Sequence, residues 1–186
     1  MAKKDIILSG VGGQGILSIA TVIGWAALDQ NLHLKQAEVH GMSQRGGDVQ
    51  SNLRISTERI WSDLIPKGEC DLILSLEPME ALRYLPWLSK GGWIVTNSTP
   101  FVNIPNYPPV EEITAELQKI GNVITLDCDE IAKQTGSPRS ANMVLLGASA
   151  AVLEILDPEK LREGITNVFS RKGEKIVEMN IAAFNA

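Results

Sequence analysis

The sequence predicts an α/β fold: a Rossmann-like three-layer domain with a mainly parallel sheet and C-terminal helices. Three observations predict it. Short apolar runs of strand character alternate with helical patterns through the first two thirds of the chain. A glycine-rich turn, GVGGQG, follows the first run and opens the first helix. From Ser140 onward the pattern reads as helix after helix, a cap on the α/β layer. A chain of 186 residues is ample for one core and short for two, so one domain is expected over 1–186.

Residues 5–9 read as a buried strand and 10–15 as the turn after it. Residues 16–28 follow as a helix with Ile16, Ile19, Ala20, Ile23 and Ala27 on one face. A second strand is expected over 34–39, with His33 at its exposed start, and a polar loop over 40–47. In the next strand, 49–55, Leu53 and Ile55 face one side while Asn52 and Arg54 face the other. Residues 71–76 form a further strand. Pro78 suits the first turn of the next helix, where an N–H has no intrahelical acceptor. Met79, Leu82 and Leu85 supply the inward stripe of that helix, and Pro86 ends it. Gly91 and Gly92 precede a strand at 93–96.

Four prolines and two asparagines make 99–109 an ordered irregular excursion or an extended arm. A helix over 110–120, a strand over 123–127 and a short helix over 129–134 come next. Residues 140–156 form a strongly apolar helix. Asp157 caps its successor, with Pro158 at the first helical position and Leu161, Ile165 and Phe169 inward. A last helix spans 172–184, with Ile176, Val177, Met179 and Ile181 toward its buried side.

Bulk properties exclude several classes of function. A net charge of −5 with no basic cluster argues against a nucleic-acid partner. The two cysteines, Cys70 and Cys128, lie in or beside apolar runs and read as buried free thiols. They are too few for a four-cysteine metal centre. A disulfide is open in principle, though nothing points to secretion. The basic start MAKK lacks the hydrophobic stretch of a signal peptide. The run 141–156 is broken by Asn142, Ser149 and Glu154 and is too short and polar to span a membrane. A cytoplasmic chain with no membrane partner is the expectation.

Two glycine-rich loops carry the chemistry. In the first, Gly10, Gly12 and Gly15 satisfy GxGxxG, and Gly13 adds a fourth glycine. Gly10 permits a tight turn, Gly12 a close backbone approach to a phosphate, and Gly15 close helix–strand contact. The helix start can receive an anion, with Gln14 as a candidate amide donor. Glycines that only pack a backbone closely would look the same. Glu38, at the end of the second strand, stands near the usual position of a ribose-binding acid, which allows a dinucleotide. The second loop, EVHGMSQRGGDV, places Ser43, Gln44, Arg45, Gly46 and Gly47 between two apolar runs. The Arg45 fork could hold a phosphate or a carboxylate, with Ser43, Gln44 and the Gly46 and Gly47 N–H groups around it. An internal ion pair of Arg45 with Glu38 or Asp48 is the plainer alternative.

His40 reads either as a proton carrier or ligand or as a hydrogen-bonded loop residue. A third polar cluster, SPRSAN, precedes the apolar helix. Ser140 can cap that helix, and Arg139 and Asn142 could reach a ligand at its N-terminus or serve as a cap and surface contact. No Walker lysine follows the first loop and no Ser-His-Asp order is present. Trp25, Trp61, Trp87 and Trp93 are divided between the core and a subunit interface.

GVGGQGI at 10–16, AEVHGMSQRGGDV at 37–49 and LRIS at 53–56 together resemble the gamma subunit or gamma domain of 2-oxoacid:ferredoxin oxidoreductases. DLILSLEPMEALR, KGGWIVTN and SPRSANMVLLGA extend the resemblance along the chain, which is most similar to the separate beta subunit of indolepyruvate:ferredoxin oxidoreductase. The resemblance implies a small subunit of an enzyme, inactive alone, that supports oxidative decarboxylation of indolepyruvate or another aryl pyruvate to an acyl-CoA. Thiamine diphosphate, magnesium and iron–sulfur clusters would belong to the large partner subunit, and ferredoxin would take the electrons through the complex. No cofactor tightly bound by this chain is implied. Gly12, Gly13, Gln14, Ser43, Gln44, Arg45 and Gly46 would shape a surface for coenzyme A or for the partner. An autonomous nucleotide-binding oxidoreductase and a non-catalytic assembly module are the alternatives.

Overall fold

The structure, a computed structural model, describes residues 2–40 and 46–186. Six strands form one sheet in the order β2–β3–β1–β4–β5–β6. They are β1 (Lys3–Val11), β2 (His33–His40), β3 (Asp48–Ser56), β4 (Cys70–Ser75), β5 (Leu88–Asn97) and β6 (Val123–Leu126). β1, β4, β5 and β6 run parallel, with Ile7 opposite Ile73, Ile73 opposite Ile94 and Ile94 opposite Val123. Helices cover both faces here, so β1 is buried without a break from Asp5 to Val11 and shows no polar alternation. β3 lies antiparallel between β1 and β2, with Gly10 opposite Val49 and Val49 opposite His40.

Five helices cover one face: α1 (Ile16–Asp29), α4 (Cys128–Gln134), α5 (Ala141–Leu153), α6 (Pro158–Phe169) and α7 (Glu174–Asn185). α2 (Pro78–Arg83) and α3 (Val110–Gln118) cover the other. The three layers match the predicted architecture. α6 forms as its local signals dictate: Asp157 Oδ1 accepts from the Glu159 N–H at 2.9 Å, and Leu161, Ile165 and Phe169 are buried. α5 and α7 meet so closely that a Cβ on Gly147 would collide with the Phe184 carbonyl oxygen. Cys70 and Cys128 are buried free thiols. Burial pushes both thiols up to about 12.

Several local expectations need correction. Ser140 occupies the N-cap position of α5 but makes no side-chain cap. Its Oγ instead lies 2.7 Å from Ser137 Oγ. α5 stops at Leu153, three residues short of the expected Leu156, because Glu154 turns the chain at φ 35°. Gly91 and Gly92 lie inside β5, where a Cβ on Gly92 would meet the Cys70 carbonyl at 2.8 Å. Met79 and Leu82 of α2, with Leu85 just after it, do pack against the core as expected, and Glu80 and Ala81 are buried beside them. β3 follows expectation: Leu53 and Ile55 are fully buried, and Arg54 on the opposite side holds Asp5 through bonds of 2.7 and 3.0 Å. No helix among the described residues is long and apolar enough to cross a membrane.

Candidate functional site

The chain moves from β1 to one side of the sheet for β2 and β3, and to the other for β4. That switch point is where open α/β sheets leave a crevice at their carboxyl ends. The first glycine loop covers it. Gln14 locks the loop: its Oε1 accepts from the Val11 N–H at 2.7 Å and its Nε2 donates to the Leu76 carbonyl at 3.0 Å. One Nε2 hydrogen and one Oε1 lone pair are thereby engaged inside the protein, and Gln14 still lines the cleft beside the loop. A Cβ on Gly10 would stand 2.9 Å from Gln14 Oε1, so a larger residue there would displace the amide. The Gly12 N–H donates to the Gly47 carbonyl at 2.8 Å and the Gly46 N–H to the Gly12 carbonyl at 3.4 Å, so the two glycine loops are clipped together.

Gly15 holds φ 88° at the N-cap of α1, a conformation that disfavours any side chain. Asn142, in the first turn of α5, donates through Nδ2 to the Gly15 carbonyl at 3.2 Å. The N-termini of α1 and α5 are thereby drawn side by side. Between them and α7 lies a cleft of about 550 Å³. Gly13, Gln14, Gly15 and Ser18 form one wall, and 137–140 with Asn142 form the second. Phe169, Lys172, Ile176, Met179 and Asn180 close the third. Arg139 and Lys172 bring positive charge, and the Lys172 ammonium sits 5.1 Å from the centre of the Phe169 ring.

The helix termini reinforce that charge. α2, α3, α4, α6 and α7 each carry Asp or Glu in the first turn. α1 and α5, the two that open on the cleft, carry none. Acidic residues normally offset the partial positive charge of a helix start. Left uncompensated on both sides of a basic cleft, the two helix starts attract an anion.

The cleft thus unites Gly13, Gln14, Gly15, Arg139 and Asn142 from the sequence-predicted set. Gly10 stands beneath it and Gly12 and Gly46 to one side. Ser43, Gln44 and Arg45 lie outside the described residues, as does the His40 side chain. Lys172, Ser18 and Asn180 were not expected. Asn180 comes here on α7, which packs against α5, and Lys172 from the turn between α6 and α7; no local pattern signals either. Glu38 does not take the ribose-binding place. β3 separates its strand from β1, a displacement of about 10 Å at two strand spacings.

The arm at 99–109 ties down beside the loops. Glu77, fully buried after β4, accepts at Oε2 from the Glu80 N–H at 2.8 Å. At Oε1 it accepts from the Phe101 N–H at 3.4 Å and from the Tyr107 hydroxyl. Burial and the Glu77 hydrogen bond push the Tyr107 phenol up, so it stays protonated and donates. Asn103 Nδ2 donates to the Gly46 carbonyl at 2.7 Å, joining the arm to the second loop. Among the described residues no group of three or more His, Cys, Asp or Glu is placed to hold a metal ion.

A sheet with its switch point under a glycine loop, and a cleft opening beside it, define a Rossmann-like α/β binding domain. The family described as pyruvate ferredoxin/flavodoxin oxidoreductase matches residues 5–186. The chain is 37% identical over 194 aligned positions to the indolepyruvate oxidoreductase subunit IorB of Pyrococcus horikoshii, covering 100% of this chain and 94% of that one. The crystal structure of a keto/oxoacid ferredoxin oxidoreductase gamma subunit from Geobacter sulfurreducens is similar at TM-score 0.68 and 28% identity, over 97% of this chain and 94% of that one. A 2-oxoglutarate:ferredoxin oxidoreductase from Magnetococcus marinus, with 2-oxoglutarate, coenzyme A and succinyl-CoA bound, shares the fold at TM-score 0.75 and 22% identity. All of this chain aligns there to 30% of a longer one. The chain belongs to the pyruvate ferredoxin/flavodoxin oxidoreductase family, as a small gamma-type subunit of the 2-oxoacid:ferredoxin oxidoreductases.

Proposed function

We propose that this chain serves an oxidoreductase acting on indolepyruvate or another aryl 2-oxoacid, and that its cleft receives the phosphate-bearing part of coenzyme A. The observation that carries the cleft assignment is the pair of uncompensated helix N-termini, α1 and α5, beside Arg139 and Lys172. Coenzyme A is a fitting anion because it brings several phosphate charges and a long arm in which methyl and methylene groups alternate with amides. Ile176 and Met179 offer that arm an apolar wall. The Magnetococcus relative, which shares the fold, is described with coenzyme A bound. The aryl 2-oxoacid follows from likeness to the indolepyruvate subunit.

Bond chemistry belongs to the large partner on this reading. Thiamine diphosphate, magnesium and iron–sulfur clusters there would decarboxylate the 2-oxoacid and pass electrons to ferredoxin. This chain's own residues bind and orient. Gly13 and Gly15 bring bare backbone to the ligand, Arg139 and Lys172 neutralise phosphate, and Asn142 fixes the two helix starts in register. Gly10, Gly12, Gln14 and Gly46 shape the loops from behind. Ser43, Gln44 and Arg45 would extend the same polar surface.

Calorimetric titration of the complex with coenzyme A tests the site. Losing a charge-assisted contact costs about 1.5–3 kcal/mol, so Arg139→Ala should weaken binding about tenfold or more, with a Kd that rises with salt. Wild-type affinity in both Arg139→Ala and Lys172→Ala would rule the cleft out. Turnover of pyruvate or 2-oxoglutarate in preference to indolepyruvate would dismiss the aryl assignment. Tight NAD or FAD binding by the isolated chain would favour an autonomous enzyme instead.

A further inference from the structure

We infer that the arm at 99–109 is the surface by which this subunit docks on the large subunit of its complex, through an apolar and uncharged face. The inference rests on the assignment of the chain as a small subunit of a heteromeric oxidoreductase.

The arm carries no charged residue, in a chain that is 21% charged. Phe101, Val102 and Ile104 stand 44%, 66% and 38% exposed. Large apolar side chains grouped in this way usually mark a surface that a partner covers. The arm is also held in place. Glu77 takes hydrogen bonds from both the Phe101 N–H and the Tyr107 hydroxyl, and Asn103 reaches the Gly46 carbonyl. A buried carboxylate thus fixes an exposed apolar segment, which lowers the ordering cost of association.

The occupant follows from how the fold is used elsewhere. In the Magnetococcus enzyme it makes up 30% of one chain, so the remainder of that chain is available to pack against it. In the Pyrococcus relative, 94% of which this chain covers, the fold is nearly the whole subunit. Where the fold is one part of a long chain its neighbour is covalently attached, and in the split form a second polypeptide must supply that neighbour. That polypeptide would present an apolar surface without charges, as permanent interfaces do. Leu28, Val39, Trp61 and Leu64 are also well exposed among the described residues; the most exposed of them, Trp61 at 80%, is a poorer anchor. It lies near Lys3 and Arg54 at the opposite end of β1, with the Arg59 guanidinium 4.1 Å from its ring centre.

The test titrates the full-length chain onto the purified large subunit. Val102→Asp should weaken assembly at least thirtyfold, and Ile104→Asp similarly, because each puts a charge into an apolar contact. Both side chains are exposed enough that folding, checked by circular dichroism, should be unchanged. Trp61→Asp serves as the control and should stay within threefold of wild type. Assembly within threefold of wild type for both arm variants overturns the docking surface and leaves the subunit assignment standing. A larger loss from Trp61→Asp than from Val102→Asp also overturns it. Wild-type chain that forms no complex at all overturns the assignment and the docking surface together.

Discussion

Gly15→Ala isolates the joint that builds the cleft. Gly15 sits at φ 88°, where an L side chain costs about 1–2 kcal/mol. The new Cβ would stand 2.7 Å from Asn142 Nδ2, too close for real atoms, so the amide must move. Moving it breaks the 3.2 Å bond to the Gly15 carbonyl, worth about 1 kcal/mol. The sum is about 2–3 kcal/mol, or a Tm lower by about 5–10 °C for a chain of this size. Urea unfolding with an unchanged m-value would measure it. Asn142→Ala in the same background removes both the clash and the bond, leaving only the backbone cost. The double mutant should therefore fall about 1 kcal/mol short of the sum of the singles. A loss below about 0.5 kcal/mol for Gly15→Ala, or strict additivity, would refute the joint.

Other expected outcomes are simpler. Tyr107→Phe removes a hydroxyl donor from a fully buried carboxylate and should cost about 1–3 kcal/mol, with faster protease cleavage within 99–109. Equal cleavage rates would count against the tether. Ser9 Oγ is the one buried side-chain polar atom without a partner among the described residues. Ser9→Ala should then be neutral or stabilising by up to about 1 kcal/mol, and a clear loss of stability would mean that the hydroxyl has a role. Burial raises Cys70 and Cys128 from 9.0 to about 12, so the unfolded chain gives up these protons first. Stability from this source is complete below pH 9 and declines as pH rises from about 9 toward 12. Iodoacetamide at pH 8.5 should label neither thiol until urea unfolds the protein, and rapid native labelling would show that they are reachable. Two apolar clusters on opposite faces of one shared sheet predict a single calorimetric transition for 1–186, and two resolved transitions would divide the domain.

Features set by neighbouring residues were legible in the sequence. Asp157 and Pro158 announce α6 because a cap and its helix are in local contact. GVGGQG announces a strand-to-helix turn because φ 103° at Gly13 and 88° at Gly15 are local demands on the backbone. Partners far apart in sequence were not legible. Glu77 follows an apolar strand with no adjacent residue to signal its burial; it is fully buried because Phe101 and Tyr107 arrive from the arm. Ser140 is a good capping residue by type, but Ser137 competes for its hydroxyl. Asn180 reaches the cleft on α7, which packs closely onto α5 at Gly147, and Lys172 from the turn before α7.

The same distinction explains why GxGxxG was an incomplete guide to ligand. The motif specifies a turn and a helix start, and both are present. A dinucleotide also needs an acid on the strand beside β1, and strand adjacency is a property of the whole sheet. Here β3 pairs antiparallel with β1 from Lys3 to Val11 and pushes β2, with Glu38, to the sheet edge. The space a ribose would occupy is thus bordered by β3 and the second glycine loop, whose Gly47 carbonyl takes the Gly12 N–H. That N–H, the group expected to approach a phosphate, is turned toward the neighbouring loop. The anion-seeking character passes to the other side of the motif, where Gly13, Gly15 and the start of α1 face the start of α5. A phosphate there would meet two helix starts and two cations with no ribose-binding acid nearby. That chemistry suits a ligand recognised by its phosphates more than one recognised by its sugar.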